Sequence, residues 1–250
     1  MALSACKPST ETVEDQLKER YGKEFCSQGL IEVEGGYNSV CYPEDNPKQL
    51  FEASFKENGE VYYDDYVGAM IADHEAELFS QEIEGNDILY VHGYRYGRLS
   101  VNRLESFNNI ALHIRQNKFQ YEEYFESLKS ETGKDFVTYS SLYIFMKSDD
   151  NPDEYDRFEK ASNIIISEYK ERYDLDIWVQ VTVIFVDDPN YYDKAEQYYM
   201  KHADINSFQE DELKGWTDNR IVMGFGDSKY IPESLYISKE EYTKKLEEMN

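Results

Sequence analysis

A chain of 250 residues with 40% hydrophobic and 15% aromatic side chains can bury one large core or two small ones, which excludes a disordered polymer. Its 51 acidic residues against 26 basic ones give a formal charge of −25, a surface that repels phosphate backbones and anionic lipid headgroups. Neither nucleic-acid binding nor membrane adhesion through a basic patch is expected, and no apolar run reaches the roughly eighteen residues of a membrane span.

The elements follow in chain order. Residues 7–11 read as a tether, and Thr12-x-x-Asp15 opens a helix that runs through Leu17 and Tyr21 to a stop at Gly22. Three strand-like runs come next, Glu24 to Glu34, Ser39 to Pro43 and Gln49 to Lys56; in the last, Phe51, Ala53 and Phe55 alternate. Asn58-Gly59 marks a tight turn. Val61-Tyr62-Tyr63 leads into a helix from about Asp64 to Glu84, broken by Gly85-Asn86-Asp87. Ile88 then begins a strand that reaches about Arg95. The signal between Leu104 and His113 is weak. Further on, the pattern predicts helices from Lys118 to Lys129, Asp153 to Tyr173, Tyr191 to His202 and Ser238 to Glu248. It predicts strands from Phe136 to Met146, from Ile177 to Val186 and at Ile221-Val222-Met223.

Strands and helices mingle without a Gly-rich phosphate loop, so an α+β fold with largely antiparallel sheets and packed helices is expected. Two small lobes are expected within it, residues 12–103 and 104–250, although no linker marks the boundary. A strand ending Ile144-Phe145-Met146 enters Asp149-Asp150-Asn151-Pro152 and a helix. A strand ending Ile184-Phe185-Val186 enters Asp187-Asp188-Pro189-Asn190 and another helix. The echo reads as a duplicated strand–helix unit, too few copies for a solenoid. The 23 tyrosines suit sheet and helix packing, each burying a ring while keeping a hydroxyl at a wet edge.

Leu3-Ser4-Ala5-Cys6 resembles a bacterial lipobox, the short end of a secretory signal peptide. There the peptide is cut before the cysteine, whose sulfur carries a diacylglycerol. The charged and apolar regions of such a signal are missing upstream. The resemblance implies lipidation at Cys6 and a place on the outer face of the cell membrane of a Gram-positive bacterium, held only by that lipid. If Met1 is instead the true start, the protein is cytoplasmic. Outside the cell, a disulfide between Cys26 and Cys41 is allowed, because a turn near Gly35-Gly36 would lay their segments antiparallel. The competing reading makes both reduced core residues. Neither has the spacing of a zinc site.

Candidate chemistry is sparse. Asp149, Asp150 and Asp153, with Asp187, Asp188 and Asp193, cluster hard oxygens that could bind calcium, and Asp45-Asn46-Pro47 is a weaker cousin. They lack the order of a calcium loop, and acids before a helix equally serve its free N–H groups and its dipole. Asp73-His74-Glu75 lacks the second histidine of a zinc-peptidase helix, with Leu78 in its place, and reads as a solvated helix face. Met223-Gly224-Phe225-Gly226-Asp227 lacks the rest of a dinucleotide fingerprint and reads as a loop. No serine sits in a hydrolase elbow, and Trp178 falls within an apolar strand, so it reads as core. With no catalytic motif and no required cofactor, the sequence points to a lipid-anchored binding protein for a basic protein partner, in the manner of an acidic immunity-type inhibitor. The alternative is an envelope hydrolase using carboxylates or calcium.

Overall fold

The computed structural model describes residues 8–83, 88–99, 121–132, 136–146, 151–185 and 220–249. Among the described residues, two sheets and five α-helices make an α+β fold. Helix α1, Thr10–Tyr21, begins one turn earlier than the Thr12 signal suggests. Ser9 is the N-cap, its side chain accepting from the Thr12 N–H, and Gly22 ends the helix at φ 71°. The first sheet holds β1 (Phe25–Ser27), β2 (Ile31–Val33), β3 (Gly36–Pro43), β4 (Phe51–Lys56) and β5 (Val61–Asp64), every pair antiparallel. β1 and β2 both pair with the same side of β3, and β4 and β5 follow on its other side. The Asn58-Gly59 turn joins β4 to β5, with Gly59 at φ 84° and the Asn58 side chain accepting from the Glu60 N–H.

α1 lies across one face of this sheet. Val13 and Leu17 are buried there among Phe25, Cys41, Phe51, Ala53 and Phe55. Tyr66 closes the cluster, its ring centroid 4.8 Å from Tyr21, 5.0 Å from Phe25 and 5.1 Å from Phe51.

Helix α2, Tyr66–Ile83, leaves β5 directly and carries the chain into the second core. Val67, Ile71, Phe79 and Ile83 belong to that core. The second sheet is β6 (Ile88–Leu99), β7 (Phe136–Met146), β8 (Asp176–Phe185) and β9 (Arg220–Phe225), in that order. α3 (Tyr121–Thr132), α4 (Glu154–Tyr173) and α5 (Lys239–Met249) contribute Phe125, Phe158, Ile165 and Tyr242 to the core on the same face as α2. Ser238 and Glu241 form a reciprocal capping box at the start of α5.

The lobe boundary expected near residue 103 is corrected. The chain changes sheets at α2, and β6 pairs along its length with β7. The reason is steric. A side chain on Gly93 would run into the Ala72 carbonyl, so the glycine lets β6 sit directly against α2. The sheet is also less uniform than expected, since β7 and β8 are parallel. Helix α4 between them supplies the long crossover that parallel strands need. Of the duplicated unit, β7, α4 and β8 are present, while the expected helix over 191–202 lies outside the described residues.

Trp178 is buried, on the opposite face of the second sheet from the main core. It stacks on Tyr139 at 4.7 Å and packs against Ile231. The run from Met223 to Phe225 is strand rather than loop, because it continues the pairing with Val181, Gln180 and Val179 of β8; at Gly224 a Cβ would crowd Ile231 at 2.5 Å.

One polar constellation joins the two halves. Asp64, with no exposed side-chain area, receives Arg20 Nη1 at 2.6 Å, the Tyr21 hydroxyl at 2.5 Å and the Tyr66 N–H at 3.1 Å. Burial and the adjacent carboxylate push the Tyr21 hydroxyl far above its ordinary pKa, so it stays a donor. Asp64→Ala is expected to cost about 3 kcal/mol in urea unfolding, because it strands the Arg20 charge and uncaps α2, whereas Tyr21→Phe should cost about 1 kcal/mol. Equal losses would mean that the ion pair contributes nothing beyond the hydroxyl bond. Gly93→Ala is expected to cost about 2 kcal/mol or more through the forced backbone shift. A variant unfolding at the wild-type midpoint would show that β6 can move off α2 freely.

Candidate functional site

The expected disulfide is corrected by strand register. The turn between β2 and β3 falls at Glu34-Gly35, with Gly35 at φ 83°, one residue before the anticipated Gly35-Gly36. β1 pairs with β3 one residue out of step with the β2–β3 ladder, so Cys26 lies opposite Tyr42, and Cys41 opposite Ser27. Side chains alternate across a strand, so this offset puts the two sulfurs on opposite faces, and both are free thiols. Cys41 is buried in the first core, next to Ser39, whose hydroxyl meets Ser27 Oγ at 2.8 Å. Burial pushes the Cys41 thiol up to about 12. Cys26 lies half-buried beside Tyr42 on the outer face.

Cys6, the lipidation candidate, lies outside the described residues, as do Asp149, Asp150, Asp187, Asp188 and Asp193. Among the described residues, no group of three or more His, Cys, Asp or Glu side chains is placed to hold a metal. Asp153 is described. It stands at the N-cap of α4 without a side-chain capping bond and instead meets Lys239 Nζ at 3.2 Å, tying α4 to α5. The capping role expected of it is therefore not made.

Asp73-His74-Glu75 is a solvated face only in part, with Asp73 exposed, His74 half-buried and Glu75 buried, and its three side chains go three ways. Asp73 accepts Gln49 Nε2 at 2.7 Å and Asn46 Nδ2 at 3.4 Å, which pins the loop after β3. His74 Nε2 meets Glu168 Oε1 on α4 at 2.8 Å, and Arg172 reaches the same oxygen at 3.2 Å. Glu75 is buried. A shallow, open groove lined by Lys160, Ser167, Glu168 and Arg172 runs beside this seam. It mixes both signs of charge, and two of its lining residues bridge α4 to α2, Glu168 to His74 and Lys160 to Glu82.

The aromatic outer side of the second sheet is no better a docking place. Tyr143, Phe145, Trp178 and Thr182 on it are all buried, so it is interior.

The outer edge of the first sheet differs from both. All three residues of β2 are exposed, Ile31 at 67% and Val33 at 41%. Ile31 lies opposite Asn38, and Val33 opposite Gly36, which puts them on the face away from α1 with half-buried Val40 and Tyr42. From Glu24 to Pro47 the chain carries Glu24, Glu32, Glu34, Glu44 and Asp45 without one Lys, Arg or His. Lys18 and Lys23, from beyond that stretch, meet Glu24 and Asp45 at its margins. Glu32 and Glu34 flank the exposed apolar pair, while Glu24, Glu44 and Asp45 lie toward the other end of β3; an exposed apolar pair beside carboxylates is the arrangement of a recognition surface. Composition alone gave the sign of this charge. The apolar pair was missed because Leu30-Ile31-Glu32-Val33 reads as a buried run.

No family model and no curated protein matches this chain. Among solved structures, the crystal structure of a DUF5037 family protein from Ruminococcus gnavus ATCC 29149 is similar. The match has a TM-score of 0.54 at 16% identity and covers 96% of this chain and 99% of that one. At that identity the likeness concerns the fold.

The register makes a direct prediction about the thiols. In the native protein, iodoacetamide followed by peptide mass mapping should label Cys26 and leave Cys41 unlabelled until denaturant is added. Recovery of a Cys26–Cys41 linked peptide without reductant would show that the register of β1 against β3 is wrong.

Proposed function

We propose that this chain is a non-catalytic binding protein that uses the acidic edge of its first sheet to hold a basic protein partner. The observation that carries the reading is the stretch from Glu24 to Pro47. It carries five carboxylates and no cation of its own, with Glu32 and Glu34 beside an exposed Ile31 and Val33 and with Glu24 and Asp45 met by Lys18 and Lys23 from outside it. Charge of one sign steers a cationic partner from a distance, and the apolar pair supplies contact area once it arrives. An immunity-type inhibitor of a cationic toxin fits this chemistry. Lipidation at Cys6 would hold such a protein at the outer membrane face, where exported basic proteins arrive first. A lipid-sized mass on the native membrane-fraction protein is the test of that anchor.

The binding reading is tested by charge reversal in two places. Against a panel of purified cationic exported proteins at about 0.15 M salt, Glu32→Lys with Glu34→Lys is expected to weaken a bound member by about tenfold or more. The same reversal on α5, at Glu247 and Glu248, is expected to weaken it by only about twofold. If no panel member binds, or both pairs have equal effects, the first-sheet edge is not the recognition surface.

A further inference from the structure

Resting on that reading, we infer that the partner contributes an amphipathic helix, laid along the outer face of β2 and β3 with its apolar stripe inward and cations on its flank. An antiparallel sheet commonly buries one face and leaves the other wet. Among the described residues, α1 is the helix laid across this sheet, and it takes the inner face. On β3, outward Asn38, Val40 and Tyr42 alternate with buried Ser39 and Cys41. The register sets Val33 beside Gly36, Ile31 beside Asn38 and Cys26 beside Tyr42. These side chains form a belt two strands wide, interrupted by Asn38, whose oxygen accepts Ser54 Oγ at 2.9 Å. On β4 the same face turns polar, with Glu52 across from Val40, Ser54 from Asn38 and Lys56 from Gly36.

The footprint selects the occupant. Two strands make the belt about 10 Å wide, and the steps from Gly36 to Tyr42 make it about 20 Å long. A helix of about thirteen residues, about 10 Å across, covers that area. A second sheet would need a face several strands wide, and β4 is already polar. Side-chain contact on this face also asks nothing of the backbone of β2. Carboxylates stand around the belt, Glu52 on the β4 flank, Glu34 past Val33 and Glu44 past Tyr42. They call for lysine or arginine along the helix's flank and at its ends. A second copy of this chain is the wrong occupant, since it brings Glu34 and Glu52 against another surface of −25.

Two peptides of about fourteen residues and identical leucine–lysine composition test this. In one the leucines recur every three or four residues, and in the other they alternate with lysine. Each is kept below the concentration at which it self-associates. With the whole chain at about 0.15 M salt, the helix-patterned peptide is expected to bind about tenfold tighter or more. It should gain helical circular dichroism on binding and slow iodoacetamide labelling of Cys26 by about tenfold, because the belt ends at that side chain. Ile31→Asn with Val40→Asn should remove both effects while leaving the protein folded by circular dichroism. Where that variant unfolds, protection of Cys26 in the native chain decides. Equal binding of the two peptides, with Cys26 unprotected, would overturn helix docking and leave the charge-led reading standing. Tighter binding of the alternating peptide would overturn it in favour of an extended partner. Binding of neither peptide overturns it too, and the panel with Glu32 and Glu34 reversed then decides the broader reading by itself.

Discussion

The Asp64 carboxylate is cut off from water and receives three donors, the Arg20 guanidinium, the Tyr21 hydroxyl and the Tyr66 backbone N–H. These come from the last turn of α1 and the first residue of α2, so a single side chain fixes where one helix ends and the next begins. A buried carboxylate without such partners would be strongly destabilising. The same residue closes β5 by pairing with Ala53, which is itself buried under α1. Because α2 buries Tyr66 in the first core and Val67, Ile71, Phe79 and Ile83 in the second, its launch angle sets how the two cores are joined. The His74–Glu168 contact and the Gly93–Ala72 approach then hold that helix to α4 and β6.

Where the helices lie decides which surfaces remain available. α2, α3, α4 and α5 all serve one face of the second sheet, and the opposite face is buried around Trp178, Tyr143 and Phe145. The first sheet has α1 on one face and exposes apolar side chains on the other, at its β2 edge. Polar groups on the helices are largely committed to one another, as with Lys239 between Asp153 and Asp156, or Arg172 on Glu168. Such exposed pairs contribute little to stability, yet they neutralise the charge around them. The stretch from Glu24 to Pro47 holds no cation of its own, and Lys18 and Lys23 from outside it meet only Glu24 and Asp45 at its margins.

Local signals carried much of the fold. Gly22 at a left-handed C-cap, the Asn58-Gly59 turn and both ends of β7 were legible because each depends on residues within a few positions. Register was not legible, and it decided the cysteines. The β1–β3 ladder is one residue out of step with the β2–β3 ladder, and that offset, taken up between Ser27 and Ile31, changes no local propensity but sends Cys26 and Cys41 to opposite faces. The assignment of β6 depended on a long-range fit between Gly93 and Ala72 that no short window contains. The parallel pair was in principle visible, since a strand, a long helix and a strand in succession form a crossover unit. β5 was hidden as the run-up to a helix, because Val61-Tyr62-Tyr63-Asp64 has no turn of its own before Tyr66.

The exposed apolar pair on β2 and the large acidic charge belong to one design. With Ile31 and Val33 exposed, β2 offers apolar contact to any partner, including a copy of itself. Acidic residues beside it act selectively, because two such surfaces repel each other while a cationic partner is drawn in. At a separation of about 4 Å, like charges on facing side chains cost on the order of 1 kcal/mol each even in water-like dielectric. Opposite charges gain by a similar amount, so each facing pair separates self-pairing from a basic partner by roughly tenfold or more. Glu32 and Glu34 stand beside the apolar pair itself, where that discrimination is strongest.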